Sequence, residues 1–253
     1  MPPASVAGSR PVTIEPAFDS VIFDWGGTLS VFADVDMEDM WRLAAHHLAA
    51  GSAPEREDEL CARLVAVEEE AWARIAVDQH SFTLAWLLAQ ASEAIGLDVA
   101  AAVLEEASQG HLDAWTPHIR HDPDARPVLK ALKERGIGIG LLSNTHWPRH
   151  FHEHFLERDG LAEYLDARLY TSELPRSKPH TSAFHAAVSA LGSEPSRAVF
   201  VGDRPFDDVY GAKKAGLTAV LKVNPVMPAY EVVPDATIMT LPELLPLIDG
   251  WQT

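Results

Sequence analysis

The hydrophobic positions of this chain follow two different patterns in two regions. Across residues 37–115 they recur every three or four residues, and the clearest series is Leu60, Leu64, Val67, Ala71 and Ile75. This spacing places the five side chains on one face of a helix. Three further series of the same kind, over residues 37–48, 84–95 and 99–112, predict three more helices and therefore a four-helix unit.

Residue types mark two boundaries between these helices. Gly51, Ser52 and Pro54 are expected to separate the first helix from the second, because glycine and proline interrupt helices. Asp98 is the expected N-cap of the fourth helix, since an aspartate side chain can accept a hydrogen bond from the free backbone N–H groups of the first turn.

On either side of this region, short apolar runs alternate with helical patterns. The runs at residues 21–23, 137–142, 198–201, 218–223 and 237–239 predict strands. Helices are predicted from Asp122 and Pro123 to Gly136, from about Thr181, and over residues 241–248. Such alternation is typical of a parallel sheet. We therefore predict an α/β fold with a Rossmann-like parallel sheet and helices on both of its faces.

These patterns divide the chain into three parts. Residues 18–32 and 119–253 are predicted to form the α/β core, and residues 33–118 an inserted helical domain. Residues 1–17 contain four prolines and lack the continuous apolar centre of a signal peptide, so they are predicted to form a loose N-terminal arm.

Composition and charge narrow the classes of partner. The formal net charge of -17 argues against binding to nucleic acid or to an anionic membrane, because both depend on cationic side chains. No apolar run has the length needed to cross a bilayer. The one cysteine, Cys61, has no partner for a disulfide, which is typical of a reducing compartment. We therefore expect a cytoplasmic protein.

Polar side chains directly follow three of the predicted strands. Asp24 follows the first, Ser143 and Asn144 follow the second, and the pair Gly202-Asp203 follows the third. Open α/β sheets collect their ligands at the carboxyl ends of the strands. A carboxylate at a tight turn in this place can act as a nucleophile or as a metal ligand.

The first of these strand ends resembles a signature of the haloacid dehalogenase superfamily. Phosphatases of this superfamily have an apolar strand followed by Asp, any residue, Asp, Gly and Thr. Asp24, Gly27 and Thr28 match that pattern, whereas Gly26 stands where the second aspartate is expected.

Three later motifs resemble the same superfamily in the same order. They are Ser143 at a strand end, Lys178 before a helix, and Gly202-Asp203 followed by Asp207 and Asp208. The helical insertion lies where the superfamily has a cap that selects the substrate. On these residues the chain is identified as a member of the superfamily.

The resemblance implies a role for each matching residue. Asp24 would be the nucleophile that forms an aspartyl-phosphate, and Lys178 would be a fixed charge that neutralises the nucleophile and the phosphoryl oxygens. Ser143, Asn144 and Trp25 would contact the substrate and its phosphate. The implied substrate is a small phosphorylated metabolite.

The resemblance also implies a magnesium ion. Its ligands would be Asp24, the backbone carbonyl of Gly26, Asp203 and a second acid of the last motif. Asp208 fits the spacing of that second acid better than Asp207, and both are retained as candidates.

In the phosphatases that the chain resembles, the second aspartate protonates the leaving alcohol and then activates water. Such general acid–base catalysis typically accelerates a reaction by about a hundredfold to ten-thousandfold, and Gly26 cannot provide it. Other candidates for that group lie in the helical insertion, although each is more often found on a solvated helix face: His46, His47, His80, Glu38 and Asp39.

A group of four histidines follows the Ser143 strand: His146, His150, His152 and His154. Two pairs among them have the i, i+4 spacing of a transition-metal site. The group has no acidic or cysteine partner at a diagnostic spacing, and we expect an exposed helix here instead.

Two other functions are compatible with the missing acid. A haloacid dehalogenase would attack carbon through Asp24 without metal and would use an arginine for the substrate carboxylate, for which Arg42 is a candidate. A catalytically weakened member would bind a phosphorylated ligand or a protein partner without turnover. Phosphonoacetaldehyde hydrolase has a similar first motif, but its mechanism needs a lysine in the cap, and this chain has no lysine before Lys130.

Overall fold

The centre of the fold is a sheet of six strands in which every neighbouring pair is parallel. The structure is a computed structural model that describes residues 17–50 and 53–251. Residues 1–16 of the predicted arm, together with Gly51 and Ser52, lie outside the described residues. The strands are β1 Ser20–Phe23, β2 Gly138–Ser143, β3 Ala167–Tyr170, β4 Ala198–Gly202, β5 Thr218–Lys222 and β6 Ala236–Ile238, in the spatial order β3-β2-β1-β4-β5-β6.

Helices lie between these strands along the chain and after the last of them. They are α1 Met37–Ala50, α2 Glu57–Asp78, α3 Leu84–Ala94, α4 Ala101–Trp115, α5 Ala125–Glu134, α6 Arg149–Arg158, α7 Thr181–Ala190, α8 Gly211–Lys214 and α9 Leu244–Trp251. A turn of π-helix, Pro205–Tyr210, precedes α8. Within the described residues, no helix combines the length and the apolar character needed to span a bilayer.

Both faces of the sheet are covered, which explains why its strands are apolar at consecutive positions. In β1, Val21 and Phe23 belong to a cluster that includes residues of α5, α6 and α9, whereas Ile22 belongs to a second cluster with residues of α7 and α8. Alternate side chains of a strand point to opposite faces, so a strand buried on both sides needs no polar positions. The predicted α/β fold with a Rossmann-like parallel sheet is confirmed.

One strand was not predicted. The strand β3 lies at the edge of the sheet, pairs only with β2 and contains Arg168, whose side chain donates to Glu153 and to a backbone carbonyl. The segment is four residues long and carries a charge at its centre, so it lacks the apolar run by which the other strands were found.

The four predicted helices of the insertion are present as α1 to α4. The helix α1 packs against α2 and α4, and α3 packs against the same two helices. All five members of the series from Leu60 to Ile75 are buried, as the periodicity predicts. The assignment of residues 33–118 to a separate domain stays a prediction.

Two of the predicted helix starts are wrong. The helix α4 begins at Ala101, with Ala100 at the N-cap position and no side-chain cap, so Asp98 does not cap it. The helix α5 begins at Ala125, because the Asp122 side chain accepts from the backbone N–H of Asp124 and holds a turn before the helix. Its predicted end at Gly136 is confirmed, since Gly136 adopts a φ of 75° directly after the C-cap.

Candidate active site

The loops that follow β1 and β4 bring three carboxylates together at one edge of the sheet. One oxygen from each of Asp24, Asp203 and Asp208 lies within 4.8 Å of the others. All three residues are at most 5% exposed. Hard divalent cations such as Mg²⁺ prefer carboxylate oxygens, so this donor set fits such an ion. We call these three residues the acid cluster.

The turn after β1 is shaped by the approach of Asp203. The backbone N–H of Asp24 donates to the carbonyl of Val201 at 2.9 Å and extends the pairing of β1 with β4. Gly27 then adopts a φ of +80°, and a Cβ atom at this position would lie 2.2 Å from Oδ2 of Asp203. Both the backbone conformation and the lack of space therefore require glycine. Gly26 has no such restriction, because no atom of the described residues, apart from its two chain neighbours, lies within 4 Å of the position of its Cβ.

Lys178 is the counter-charge of the acid cluster. Its Nζ donates to Oδ1 of Asp24 and to Oδ1 of Asp208, both at 2.7 Å, and the residue is 1% exposed. Burial alone would lower the pKa of Lys178, but the charges and hydrogen bonds of Asp208 and Asp24 outweigh burial and raise the pKa above its usual range. These contacts favour the charged form of Lys178.

Asn144 holds the backbone that carries this lysine. Its amide nitrogen donates to the carbonyl of Lys178 at 2.9 Å, and its amide oxygen accepts from the backbone N–H of Lys178 at 2.9 Å. The side chain is thus committed to the protein on both sides. Ser143 ends β2, is 2% exposed and lines the cavity described below.

Burial and mutual repulsion raise the pKa values of two carboxylates in the acid cluster. Burial raises the pKa of Asp203 to about 7, with further increases from the charges of Asp24 and Asp208. Burial also raises the pKa of Asp24 to about 6, in spite of the opposing charge of Lys178. Oδ1 of Asp203 is buried and has no hydrogen-bond partner among the described residues. A bound cation would relieve both the repulsion and the unsatisfied oxygen.

The two acids of the last motif have different surroundings. Asp208 is fully buried, accepts from Lys178 and also accepts from the backbone N–H of Arg204 at 2.9 Å. Asp207 lies outside the acid cluster, on the wall of the cavity, with an oxygen 3.8 Å from Nη1 of Arg204. Burial raises the pKa of Asp207 to about 6. The geometry therefore favours Asp208 as the second acid.

A cavity of about 440 Å³ opens onto the acid cluster. Asp24, Gly26 and Lys178 line it from the edge of the sheet, and residues of α1, α2 and α4 line it from the four-helix segment. The latter include Glu68 and Trp72 of α2. This volume is within the range of about 300–1,000 Å³ that is usual for small-molecule sites.

Trp25 is held in place by a chain of hydrogen bonds. Its indole Nε1 donates to Nε2 of His121 at 3.1 Å, and Nδ1 of His121 lies 2.7 Å from Oδ2 of Asp159. Because Nε2 accepts, the proton of His121 is on Nδ1 and is donated to Asp159. The residue after Asp24 therefore has a defined orientation in the cavity wall.

The expected exposed helix after Ser143 is wrong for two of its four histidines. His146 and His152 are buried and line the cavity, and His146 precedes α6, while His150 and His154 are exposed. The ring of His152 stacks on Tyr170, with centroids 4.7 Å apart. Burial, followed by the charges of His146 and His121, lowers the pKa of His152 to about 3. Among the described residues the four histidines do not form a group of metal ligands.

The other suggested residues of the helical insertion lie away from the cavity. None of the candidates for the missing acid lines it, namely His46, His47, His80, Glu38 and Asp39. Arg42, the candidate for a dehalogenase, is exposed and pairs with Glu38 and Asp58.

The sequence did not predict four residues that line the cavity, namely Glu68, His146, Trp147 and His152. The burial of His152 could have been predicted, because His152 shares a helix face with the apolar residues Phe155 and Leu156. No comparable signal exists for Glu68 and His146, because they meet only when the four-helix segment packs on the sheet.

The chain is similar to known proteins in both sequence and structure. Residues 18–216 match a family model described as haloacid dehalogenase-like hydrolase. A crystal structure of a HAD phosphatase from Thermococcus onnurineus is similar with a TM-score of 0.62 and 25% identity, covering 93% of this chain and 100% of that one.

Two relatives with named activities match parts of the chain. Ribulose-1,5-bisphosphate 5-phosphatase of Halopiger xanaduensis is 36% identical over 99 residues, which are 39% of this chain and 41% of that protein. Glyceraldehyde 3-phosphate phosphatase of Pyrococcus furiosus is 29% identical over 136 residues, which are 52% of this chain and 56% of that protein. The matched segments span about half the length of these relatives.

The requirement for glycine at position 27 leads to a first prediction. Gly27→Ala should lower the free energy of unfolding by on the order of 1–3 kcal/mol, because the native φ of +80° is strained for alanine and the new methyl group would collide with Asp203. Gly26→Ala is the matched control and should change it by less than about 1 kcal/mol. Urea unfolding measures both. Equal losses for the two variants would contradict this account of the turn.

The acid cluster leads to a prediction about pH. The pKa of Asp203 is about 7 in the folded protein against an ordinary 3.8, so between these values the folded state binds more protons than the unfolded state. This contribution to stability is complete below pH 4 and is lost as the pH rises towards 7. In a chelator, Asp203→Asn should therefore gain on the order of 1–3 kcal/mol relative to wild type between pH 4 and 7.

Urea unfolding at a series of pH values measures this difference, and Asp34→Asn, at an exposed position, is the control. Added Mg²⁺ should stabilise wild type more than Asp203→Asn. If wild type and Asp203→Asn keep a constant difference in stability over this range, Asp203 does not titrate as described.

Proposed function

The chain belongs to the haloacid dehalogenase-like hydrolase family, and we propose on this premise that it is a magnesium-dependent phosphatase of small phosphate monoesters. The observation that carries the proposal is the contact of Lys178 with Asp24 inside a cluster of buried carboxylates. The two relatives described above are named as phosphatases, which supports the same reaction class.

The acid cluster is the proposed magnesium site. Asp24, Asp203 and Asp208 would hold the ion together with the backbone carbonyl of Gly26. The ion would supply positive charge to the phosphate and to the cluster. The raised pKa values of Asp24 and Asp203 and the unpartnered oxygen of Asp203 support this assignment.

Asp24 is the proposed nucleophile. Its carboxylate attacks phosphorus, the bond from phosphorus to the leaving oxygen breaks, and water then hydrolyses the aspartyl-phosphate. Lys178 binds Oδ1 of Asp24 and keeps this carboxylate ionised at neutral pH. Because the ammonium group is already fixed by two carboxylates, it needs no rearrangement as negative charge moves onto the phosphoryl oxygens.

Ser143, Asn144 and Trp25 are proposed to surround the phosphate. The hydroxyl of Ser143 and the backbone N–H groups after it would donate to phosphoryl oxygens. Asn144 acts through its hold on the backbone of Lys178, since both ends of its amide are engaged there. Trp25, fixed by His121, would form the wall beside the phosphate.

The reaction is proposed to proceed without the usual general acid. Gly26 offers no proton, and the space at its Cβ is open. A leaving group that needs little protonation, or one protonated by water in this space, is consistent with that gap. We expect turnover to be slower than in a site that has both aspartates.

The first prediction of this proposal concerns Asp24. Wild type should release phosphate from a panel of monoesters in a magnesium-dependent manner, and Asp24→Asn should reduce kcat by at least about a thousandfold because the nucleophile is lost. Asp39→Asn, an exposed change of the same kind, is the control. Halide release from 2-haloacids in a chelator would instead identify a dehalogenase, and ligand binding without release would identify a weakened member.

The second prediction concerns Gly26. Gly26→Asp should raise kcat by about tenfold to a hundredfold, because the new carboxyl group can protonate the leaving oxygen and its Cβ meets no atom within 4 Å. Gly26→Asn has nearly the same size and shape without the acidic proton, and should give no gain. Phosphate release at saturating Mg²⁺ measures both variants. A folded, magnesium-binding Gly26→Asp protein without increased activity would count against a phosphatase site that is otherwise complete.

A further inference from the structure

The cavity contains a buried carboxylate that the proposed reaction does not use. Glu68 of α2 lines the cavity and is 8% exposed. Its Oε2 accepts from the indole Nε1 of Trp41 at 2.7 Å, and its Oε1 accepts from Nε1 of Trp72 at 3.2 Å. Two indole N–H groups orient the carboxylate, but they are neutral and leave its charge unbalanced. Carboxylate oxygens have room for further donors beyond these two.

The described part of the chain offers Glu68 no cationic partner. No lysine or arginine there forms an ion pair with it, and the one basic side chain nearby is His146, with Nδ1 3.7 Å from Oε1. This distance is too long for a hydrogen bond. Burial lowers the pKa of His146 in spite of the opposing charge of Glu68 and therefore disfavours the charged form of the ring. An isolated buried carboxylate is costly, and a positively charged ligand would remove that cost.

His146 is itself unsatisfied. It is 5% exposed, lines the same cavity as Glu68, and neither of its ring nitrogens has a hydrogen-bond partner among the described residues. Glu68 and His146 therefore form a buried polar pair, one from the four-helix segment and one from the loop after β2, which the protein alone leaves incomplete. Unsatisfied buried polar groups of this kind are expected where a bound ligand supplies the missing hydrogen-bond partners or the missing charge.

Aromatic rings form much of the wall around this pair. Four tryptophans line the cavity: Trp25, Trp72, Trp115 and Trp147. The indole N–H groups of three of them already donate within the protein: Trp25 to His121, Trp72 to Glu68, and Trp147 to His111. These three residues can therefore offer a ligand only the carbon and π surface of their rings. Tryptophan rings attract cations more strongly than other aromatic side chains do.

We propose that this part of the cavity binds an organic cation, namely the ammonium group of a phosphate monoester whose phosphate lies at Asp24. The assignment rests on the proposed phosphatase function for the position of the phosphate. A carboxylate without a counter-charge selects a cation over a neutral group, and tryptophan walls suit an ammonium group with attached carbon atoms. The ligand class is therefore an amino-alcohol phosphate or its quaternary analogue.

Two esters of equal shape test the proposal: 2-(trimethylammonio)ethyl phosphate and 3,3-dimethylbutyl phosphate, in which a carbon atom replaces the charged nitrogen. Calorimetry with Asp24→Asn protein and Mg²⁺ measures binding of each ester without turnover. The cationic ester should bind about tenfold more tightly or better. Adding Glu68→Gln should reduce this preference severalfold by weakening binding of the cationic ester alone, while the tryptophan rings retain part of it. Adding Glu69→Gln, an exposed change on the same helix, should preserve it.

The preference between the two esters requires no change at Glu68, so it tests the proposal even if Glu68→Gln fails to fold. Equal affinities of the two esters would overturn the cation site, as would a Glu68→Gln effect of the same size on both. Hydrolysis by the wild-type protein tests the phosphatase activity separately from the cation site. Phosphate release from both esters with equal affinities leaves the phosphatase and rejects the cation site. A cation preference in binding without phosphate release supports the cation site and rejects the phosphatase.

Discussion

Lys178 allows several buried carboxylates to lie side by side. Its ammonium group donates to Asp24 and Asp208, which come from different loops, and Asp203 lies close to both. Without this cation, three buried carboxylates so close together would repel one another strongly. The amide of Asn144 holds the lysine backbone from a fourth segment. The edge of the sheet is thus organised by charge as much as by packing.

The balance of charge in this cluster stays negative. One lysine faces three acids, and burial together with the remaining repulsion raises the pKa of Asp24 and Asp203. One oxygen of Asp203 has no hydrogen-bond partner among the described residues. The close packing of the turn follows from the same arrangement, because Asp203 occupies the space that a side chain on Gly27 would need. A divalent cation would offset this negative charge, which is why the chemistry proposed for the site begins with a metal and a carboxylate nucleophile.

The cavity above the cluster has a different character. Four indole rings line it, three of them with an engaged N–H group, and it holds the carboxylate of Glu68 and the ring of His146, whose nitrogens have no hydrogen-bond partner among the described residues. In the proposed reaction the edge of the sheet would supply the reacting groups, whereas the four-helix segment supplies Glu68 and Trp72 to the cavity. A substrate would therefore be bound at two chemically different ends. The four-helix segment would contact the leaving group and determine which leaving groups are accepted.

Local periodicity in the sequence was enough to predict the parallel sheet, its two covered faces, the four helices from α1 to α4 and the presence of Asp24 and Asp203 at strand ends. These features depend on the repeat of the backbone, which is visible in neighbouring residues. The short edge strand β3 was not predicted, because it is determined by pairing with β2. The start of α4 was predicted wrongly, because the helix begins without a side-chain cap that the sequence could have shown. Tertiary structure alone decided that Asp208 rather than Asp207 joins the acid cluster, that His146 is buried, and that it meets Glu68. These contacts join residues far apart in the chain, and they depend on how the loops and the helical segment pack together, which no local pattern records.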